Sequence, residues 1–112
     1  MDCLFCSIIK GEIPSALVYQ DEFVYAFRDI NPQASVHVLV VPKEHIASVD
    51  EISEKNSAAV AKIFEAIPKI AALCELKEGY RVISNVGEHG CQSVKHLHFH
   101  ILGGQQLSES MN

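Results

Sequence analysis

The spacing of apolar and polar residues changes several times along the chain, and each change predicts an element. Leu4 to Ile9 is a short apolar run, broken by Gly11 and Pro14, and reads as about one helical turn. Residues 17–19 and 23–27 are rich in β-branched and aromatic side chains and flank Gln20-Asp21-Glu22, which is the pattern of a hairpin. Asn31-Pro32-Gln33 is a turn, and residues 36–41 form the clearest strand, ending at Pro42. Ser53 can cap a helix on which Val60, Ile63, Phe64, Ile67, Ile70, Ala71 and Cys74 make one apolar stripe. Pro68 removes the hydrogen bond to the Phe64 carbonyl, which predicts one kinked helix rather than two, and Gly79 closes the segment. Residues 80–86 and 97–102 read as strands, joined by a loop over 87–93 that contains Gly87 and Gly90. Several strands with mostly short connections and one long helix predict an α+β fold with an antiparallel sheet. The helix should cover one face and leave the other free for a site or a partner.

At 112 residues, 1–112 is expected to form a single domain with one core that needs no disulfides. Its 48% hydrophobic content argues for a globular fold. The net charge of −5, with no basic stripe, argues against general nucleic-acid binding. No apolar run approaches a membrane span, and the early Asp2 and short apolar stretch do not resemble a secretory signal. The expected location is cytoplasmic, where the four cysteines would be thiols or metal ligands.

His96, His98 and His100 alternate with Leu97, Phe99 and Ile101. In a strand this puts three imidazoles on one face and three apolar side chains on the other. Imidazole titrates near neutrality and can act as nucleophile, base or donor. A polar edge strand and a histidine-only metal site are the competing readings, but Lys, Glu or Thr would serve an edge better.

His96-Leu97-His98-Phe99-His100-Ile101-Leu102 resembles the signature of the histidine-triad family. The likeness extends through Ile13-Pro14-Ser15, Phe27-Arg28-Asp29-Ile30-Asn31-Pro32-Gln33-Ala34, His37-Val38-Leu39-Val40-Val41-Pro42-Lys43-Glu44-His45-Ile46, Gly79-Tyr80-Arg81 and Gln92-Ser93-Val94, which look like the Hint branch. The resemblance implies a five-stranded antiparallel sheet with one long helix and a short N-terminal helix, continued across a homodimer. It also implies a hydrolase acting on purine nucleoside phosphoramidates or related adenylated compounds, with AMP as a representative ligand. His98 would attack the α-phosphorus to give a nucleotidyl-histidine, which water then releases. The His96 carbonyl would hold the other ring proton of His98. His100, as a protonated donor, would contact phosphate and assist the leaving group. Asn85, Gln92 and Ser93 match positions that contact phosphate or leaving group, and Asp29 one that takes both ribose hydroxyls. Phe27 and Ile30 would wall the base, and His37 would orient the triad. Without the resemblance, Asn85 and Ser93 could be turn caps, Asp29 a turn residue, Phe27 and Ile30 core residues, and His37 a satisfied buried histidine.

Cys3-Leu4-Phe5-Cys6 is a Cys-x-x-Cys pair, and thiolates with imidazoles suit tetrahedral zinc. By resemblance the structural ligands would be Cys3, Cys6, His45 and His96, with no metal needed for chemistry. Cys74 reads as a small buried hydrophobe, and His89 as solvent-exposed. Cys91 departs from the family pattern, which commonly has glycine there, a residue suited to positive φ or close approach. The tail after Gly104 lacks the aromatic residue of some Hint proteins, which bears on leaving-group preference. A nucleotide-binding scaffold with little turnover is the alternative to the enzyme. A zinc hydrolase using the triad as ligands is a third reading, disfavoured because thiolate-rich sites are usually closed.

Overall fold

The computed structural model describes residues 3–112; Asp2, used above against a secretory signal, lies outside them. Its elements are α1 (Leu4–Ile9), β1 (Leu17–Gln20), β2 (Val24–Arg28), β3 (Val36–Pro42), a 3-10 turn (Val49–Glu51), α2 (Ser57–Leu73), β4 (Tyr80–Ile83) and β5 (Phe99–Gly103). The five strands make one antiparallel sheet in the order β1-β2-β3-β5-β4.

Residues 38–42 of the central strand β3 are a continuous apolar run because both faces of the strand are covered there. On one face Val24, Ala26, Val38, Val40, Leu97, Phe99 and Ile101 pack with Ile63, Ala66, Ile67, Ile70 and Ala71 of α2. On the other, Tyr25, Phe27, Leu39 and Val41 pack with Cys3, Phe5 and Ile8. The second face is therefore not free as the pattern predicts: α1 covers part of it, because the apolar run at Leu4–Ile9 folds back onto the sheet.

Several boundaries also differ. β3 includes Pro42, which pairs with Val24 although it cannot donate. α2 starts at Ser57, not next to Ser53. Ser53 serves an earlier turn, where its Oγ accepts from the Lys55 amide at 3.2 Å and its amide donates to Asn56 Oδ1 at 2.8 Å. The helix runs as one element through Pro68 and ends well before Gly79. Its last turn closes on Glu75 (φ 58), whose amide reaches the Ala72 carbonyl while that of Leu76 reaches Ala71. This is a Schellman closure, with buried Leu76 as its apolar clasp.

β4 stops at Ile83, short of Val86, and β5 begins at Phe99, later than Leu97. The backbone before β5 is engaged elsewhere. The Leu97 amide donates to the Ile46 carbonyl, the His96 carbonyl accepts from a histidine ring, and the His98 carbonyl accepts from Ser84 Oγ. The alternation nevertheless holds from His96 to Ile101, with Leu97, Phe99 and Ile101 on the α2 side.

Candidate active site and metal centre

His98 Nδ1 lies 2.7 Å from the main-chain carbonyl of His96. A carbonyl only accepts, so Nδ1 carries a proton and in the neutral ring the lone pair lies on Nε2. The ring is 3% exposed and meets the edge of Phe5 at a centroid distance of 5.1 Å, so few other orientations are open to it. Phe5 also packs edge-on against Phe27. The support given by Phe5 is not anticipated from the sequence. Its only signal there is its place inside the Cys-x-x-Cys spacing.

A second chain of bonds fixes His100. The Gln33 amide donates to His37 Nδ1 at 3.0 Å, so in the neutral ring His37 Nε2 must carry the proton. That nitrogen stands 2.8 Å from His100 Nδ1 and 3.4 Å from Asp29 Oδ2. His100 Nδ1 accepts, which leaves the proton of neutral His100 on Nε2. This Nε2 is buried and has no protein partner among the described residues. Burial, reinforced by His98 and His37, pushes the His100 pKa down to about 4, against the opposing pull of Asp29. Burial also lowers His37, with Asp29 acting in the opposite sense. Both shifts favour the neutral form of His100, which presents one N–H at Nε2 where the resemblance implies a protonated donor.

The third imidazole faces away from this pair. His96 Nε2 donates to the Pro42 carbonyl at 2.9 Å, which turns the Nδ1 lone pair toward Cys3 Sγ at 3.2 Å, Cys6 Sγ at 3.6 Å and His45 Nδ1 at 3.2 Å. Cys6 Sγ is 3.4 Å from His45 Nδ1. Around an ion with ligands at ~2.0–2.3 Å, tetrahedral neighbours stand roughly 3.3–3.8 Å apart, close to these separations. The donor set and its spacing fit a metal ion. Burial pushes the Cys6 thiol up to about 11, and the adjoining Cys3 adds to the shift. Asp29, His37 and His100 also converge. There the Gln33 amide occupies His37 Nδ1, so neutral His37 has no second lone pair for a metal. That cluster is a proton chain.

The remaining predicted residues divide. Asp29 is half-buried beside His37, and its Oδ1 accepts from the Asn31 amide at 2.8 Å. Phe27 is 6% exposed and packs between Phe5 and Tyr25, whereas Ile30 is 91% exposed at the edge of the loop after β2. Between β4 and β5, Asn85 is half-buried and Ser93 exposed. The Gln92 side chain is committed to the backbone, donating to the Ala47 and Val94 carbonyls and accepting from the Gly87 amide. It braces the loop, and in this geometry no amide hydrogen is left over for a ligand. Cys91 takes φ 60, the conformation that favours glycine. Gly90 is needed next to it, since a Cβ there would stand 2.4 Å from the Val86 carbonyl oxygen. His89 is exposed and Cys74 packs against the main core.

Three alternating histidines with fixed tautomers, on a five-stranded sheet backed by one helix, define a histidine-triad site. The chain belongs to the HIT domain family, whose model matches residues 10–107. It is 44% identical over 107 residues to the purine nucleoside phosphoramidase of Escherichia coli (strain K12), covering 95% of this chain and 90% of that one. It is 44% identical to the 14 kDa zinc-binding protein of Zea mays, covering 94% and 84% respectively. A solved HIT family hydrolase from Clostridium thermocellum superimposes with a TM-score of 0.95 at 48% identity, covering 99% of this chain and 97% of that one. Among the described residues no helix is long and apolar enough to cross a membrane.

Proposed function

We propose that this protein hydrolyses purine nucleoside phosphoramidates or related adenylated compounds through a nucleotidyl intermediate on His98. The observation that carries the reading is the pair of opposed tautomers. His98 keeps a lone pair on Nε2 because the His96 carbonyl holds Nδ1–H. His100 keeps a proton on Nε2 because His37 donates to its Nδ1. One ring is set to form a bond to phosphorus, and its neighbour on the same face is set to donate to a departing nitrogen.

In the first step the His98 Nε2 lone pair attacks the α-phosphorus and the P–N bond breaks. The amine leaves with its bonding pair, hydrogen-bonded to His100 Nε2–H, and takes the proton it needs from solvent, so that His100 stays neutral. In the second step water attacks the phosphorus and gives a proton to solvent, the bond to His98 breaks with its pair returning to Nε2, and the nucleotide is released. Asp29 retains lone pairs for the ribose hydroxyls after its bond to Asn31. Asn85 and Ser93 are assigned to the phosphate and leaving group, Gln92 to the shape of their loop, and Phe27 and Ile30 to the side of the base. The similarity to the E. coli phosphoramidase favours this substrate class.

The same reading assigns structural zinc to Cys3, Cys6, His45 and His96. It is supported by the donor spacing and by similarity to the maize zinc-binding protein. Bound there, zinc would tie the start of α1 to the segment after β3. It also includes a homodimer joined at the β4 edge, where Tyr80 and Val82 remain 38% and 37% exposed on an unpaired strand side.

The test is rapid-quench kinetics on two adenosine phosphoramidates with different amines, with mass analysis for adenylyl-His98. A burst of amine and a shared adenylated enzyme are expected if its hydrolysis is the slower step. If neither compound is cleaved above the buffer rate while AMP still binds, the protein is a nucleotide-binding scaffold.

A further inference from the structure

The proton chain ends on a main-chain amide in an exposed loop, and a residue distant in sequence tethers that loop. The Gln33 amide that sets His37 belongs to the connection between β2 and β3. Ile30, Asn31, Pro32 and Gln33 are all exposed, so apolar packing does little to hold them. Two residues further on, Ser35 is held twice. Its amide donates to Gln105 Oε1 at 2.7 Å, and its hydroxyl donates to the same oxygen at 2.8 Å. The backbone amide can only donate, so the Gln105 oxygen is assigned by the contact itself.

Gln105 follows Gly103 and Gly104, where β5 leaves the sheet opposite the start of β3, with Val36 paired to Gly103. Gly104 has φ +79, and a Cβ there would lie 3.0 Å from Val36 Cγ2 and 3.2 Å from Ser35 Cβ. The turn thus presses closely against the loop, and Gln105 is presented at its end. One short path runs from Gln105 through Ser35 and Gln33 to His37 and His100.

We infer that Gln105 is a positioning residue for the proton chain. By clamping Ser35 it keeps the Gln33 amide on His37 Nδ1, and so keeps the proton on the Nε2 of both His37 and His100. The tail after β5 therefore bears on the chemistry through the loop before β3, without touching the reacting atoms. Releasing the clamp lets His37 sample the other tautomer, in which Nδ1 holds the proton and Nε2 accepts. His100 Nδ1 would then have to donate, and its Nε2 would lose the proton it offers.

The test compares the full-length wild type with Gln105→Ala and Gln105→Glu. Glutamate keeps an oxygen acceptor for Ser35, so it serves as the rescue. Long-range proton–nitrogen NMR of the histidine rings reads each tautomer directly, without substrate. Wild type and Gln105→Glu should both show Nε2–H at His37 and His100, and Gln105→Ala should show mixed tautomers at both. In kinetics, which rest on the hydrolase reading, Gln105→Ala should lower kcat about fivefold, the weight of one net hydrogen bond, with KM little changed. Unchanged ring nitrogens in Gln105→Ala would overturn the inference even if turnover fell. Absence of turnover in the wild type would overturn the hydrolase reading and leave the tautomer test standing.

Discussion

His96 and His98 are joined by a 2.7 Å bond from the ring of one to the carbonyl of the other, while the His96 ring itself points into the cysteine cluster. One residue therefore belongs to the candidate metal centre by its side chain and to the candidate nucleophile by its backbone. The protein should contain about one zinc per chain when purified without chelator. EDTA should lower the melting temperature, because a metal bound only to the folded chain stabilises it by mass action. Turnover by the folded, zinc-free fraction should persist. Elemental analysis and a thermal melt check this, and zinc-free protein whose melt ignores added zinc would remove the metal assignment.

His98→Ala should reduce turnover to the background rate while AMP binding stays within a few-fold of wild type. The substitution removes the nitrogen proposed to attack and leaves Asp29 in place. Titration calorimetry with AMP, run beside the kinetic assay, separates the two effects. Residual activity above a few per cent would exclude His98 as the nucleophile.

His100 is faced by His98 and His37, with Asp29 behind His37, and its folded pKa of about 4 lies below the unfolded value. The unfolded state then binds more protons between the two values. Its contribution to stability is present above about pH 6.5 and is lost as the pH falls toward 4. The loss should be on the order of 1–2 kcal/mol once partial exposure is discounted, measured by urea unfolding across that range. The donor role of a neutral ring also predicts no fall in kcat between about pH 6.5 and 8, the range over which an ordinary imidazolium would deprotonate. A steep decline there would show that a charged His100 is required.

Cys91→Gly should be neutral or stabilising, by up to about 1 kcal/mol, because it relieves a left-handed backbone while loosening the unfolded chain. Gly90→Ala should be clearly destabilising, since its new Cβ meets the Val86 backbone. Melting temperatures of both variants test this, and a Cys91→Gly protein that melts well below wild type would contradict it.

The features legible in the sequence are those written in side-chain periodicity. The alternation at His96 to Ile101, the stripe on α2 and the Cys-x-x-Cys spacing each specify a face or a cluster. Less legible are the groups that set the tautomers. The Pro42 carbonyl and the Gln33 amide are backbone atoms, and every residue but proline offers the same pair. Gln92 and Ile30 illustrate another limit. A residue type suited to a ligand does not reveal that its amide is spent on Ala47, Val94 and Gly87, or that its side chain stands in solvent. Ser53 and Gly79 carry genuine turn chemistry, but Asn56 and Glu75 stand at the actual helix ends.

The six-residue α1 is far too short to persist as an isolated helix, so its order is borrowed from what it touches. Phe5 and Ile8 reach the sheet, and Cys3 and Cys6 reach His96 and His45. This makes the N-terminal segment a natural unit for opening while the sheet stays closed. Its amides should exchange with solvent earlier than those of β3. In the opened state Tyr25, Phe27, Leu39 and Val41 would lose their cover, and His98 would lose the ring that confines it. The frequency of that excursion, rather than global stability, would then govern how long an adhesive apolar surface is displayed to other chains.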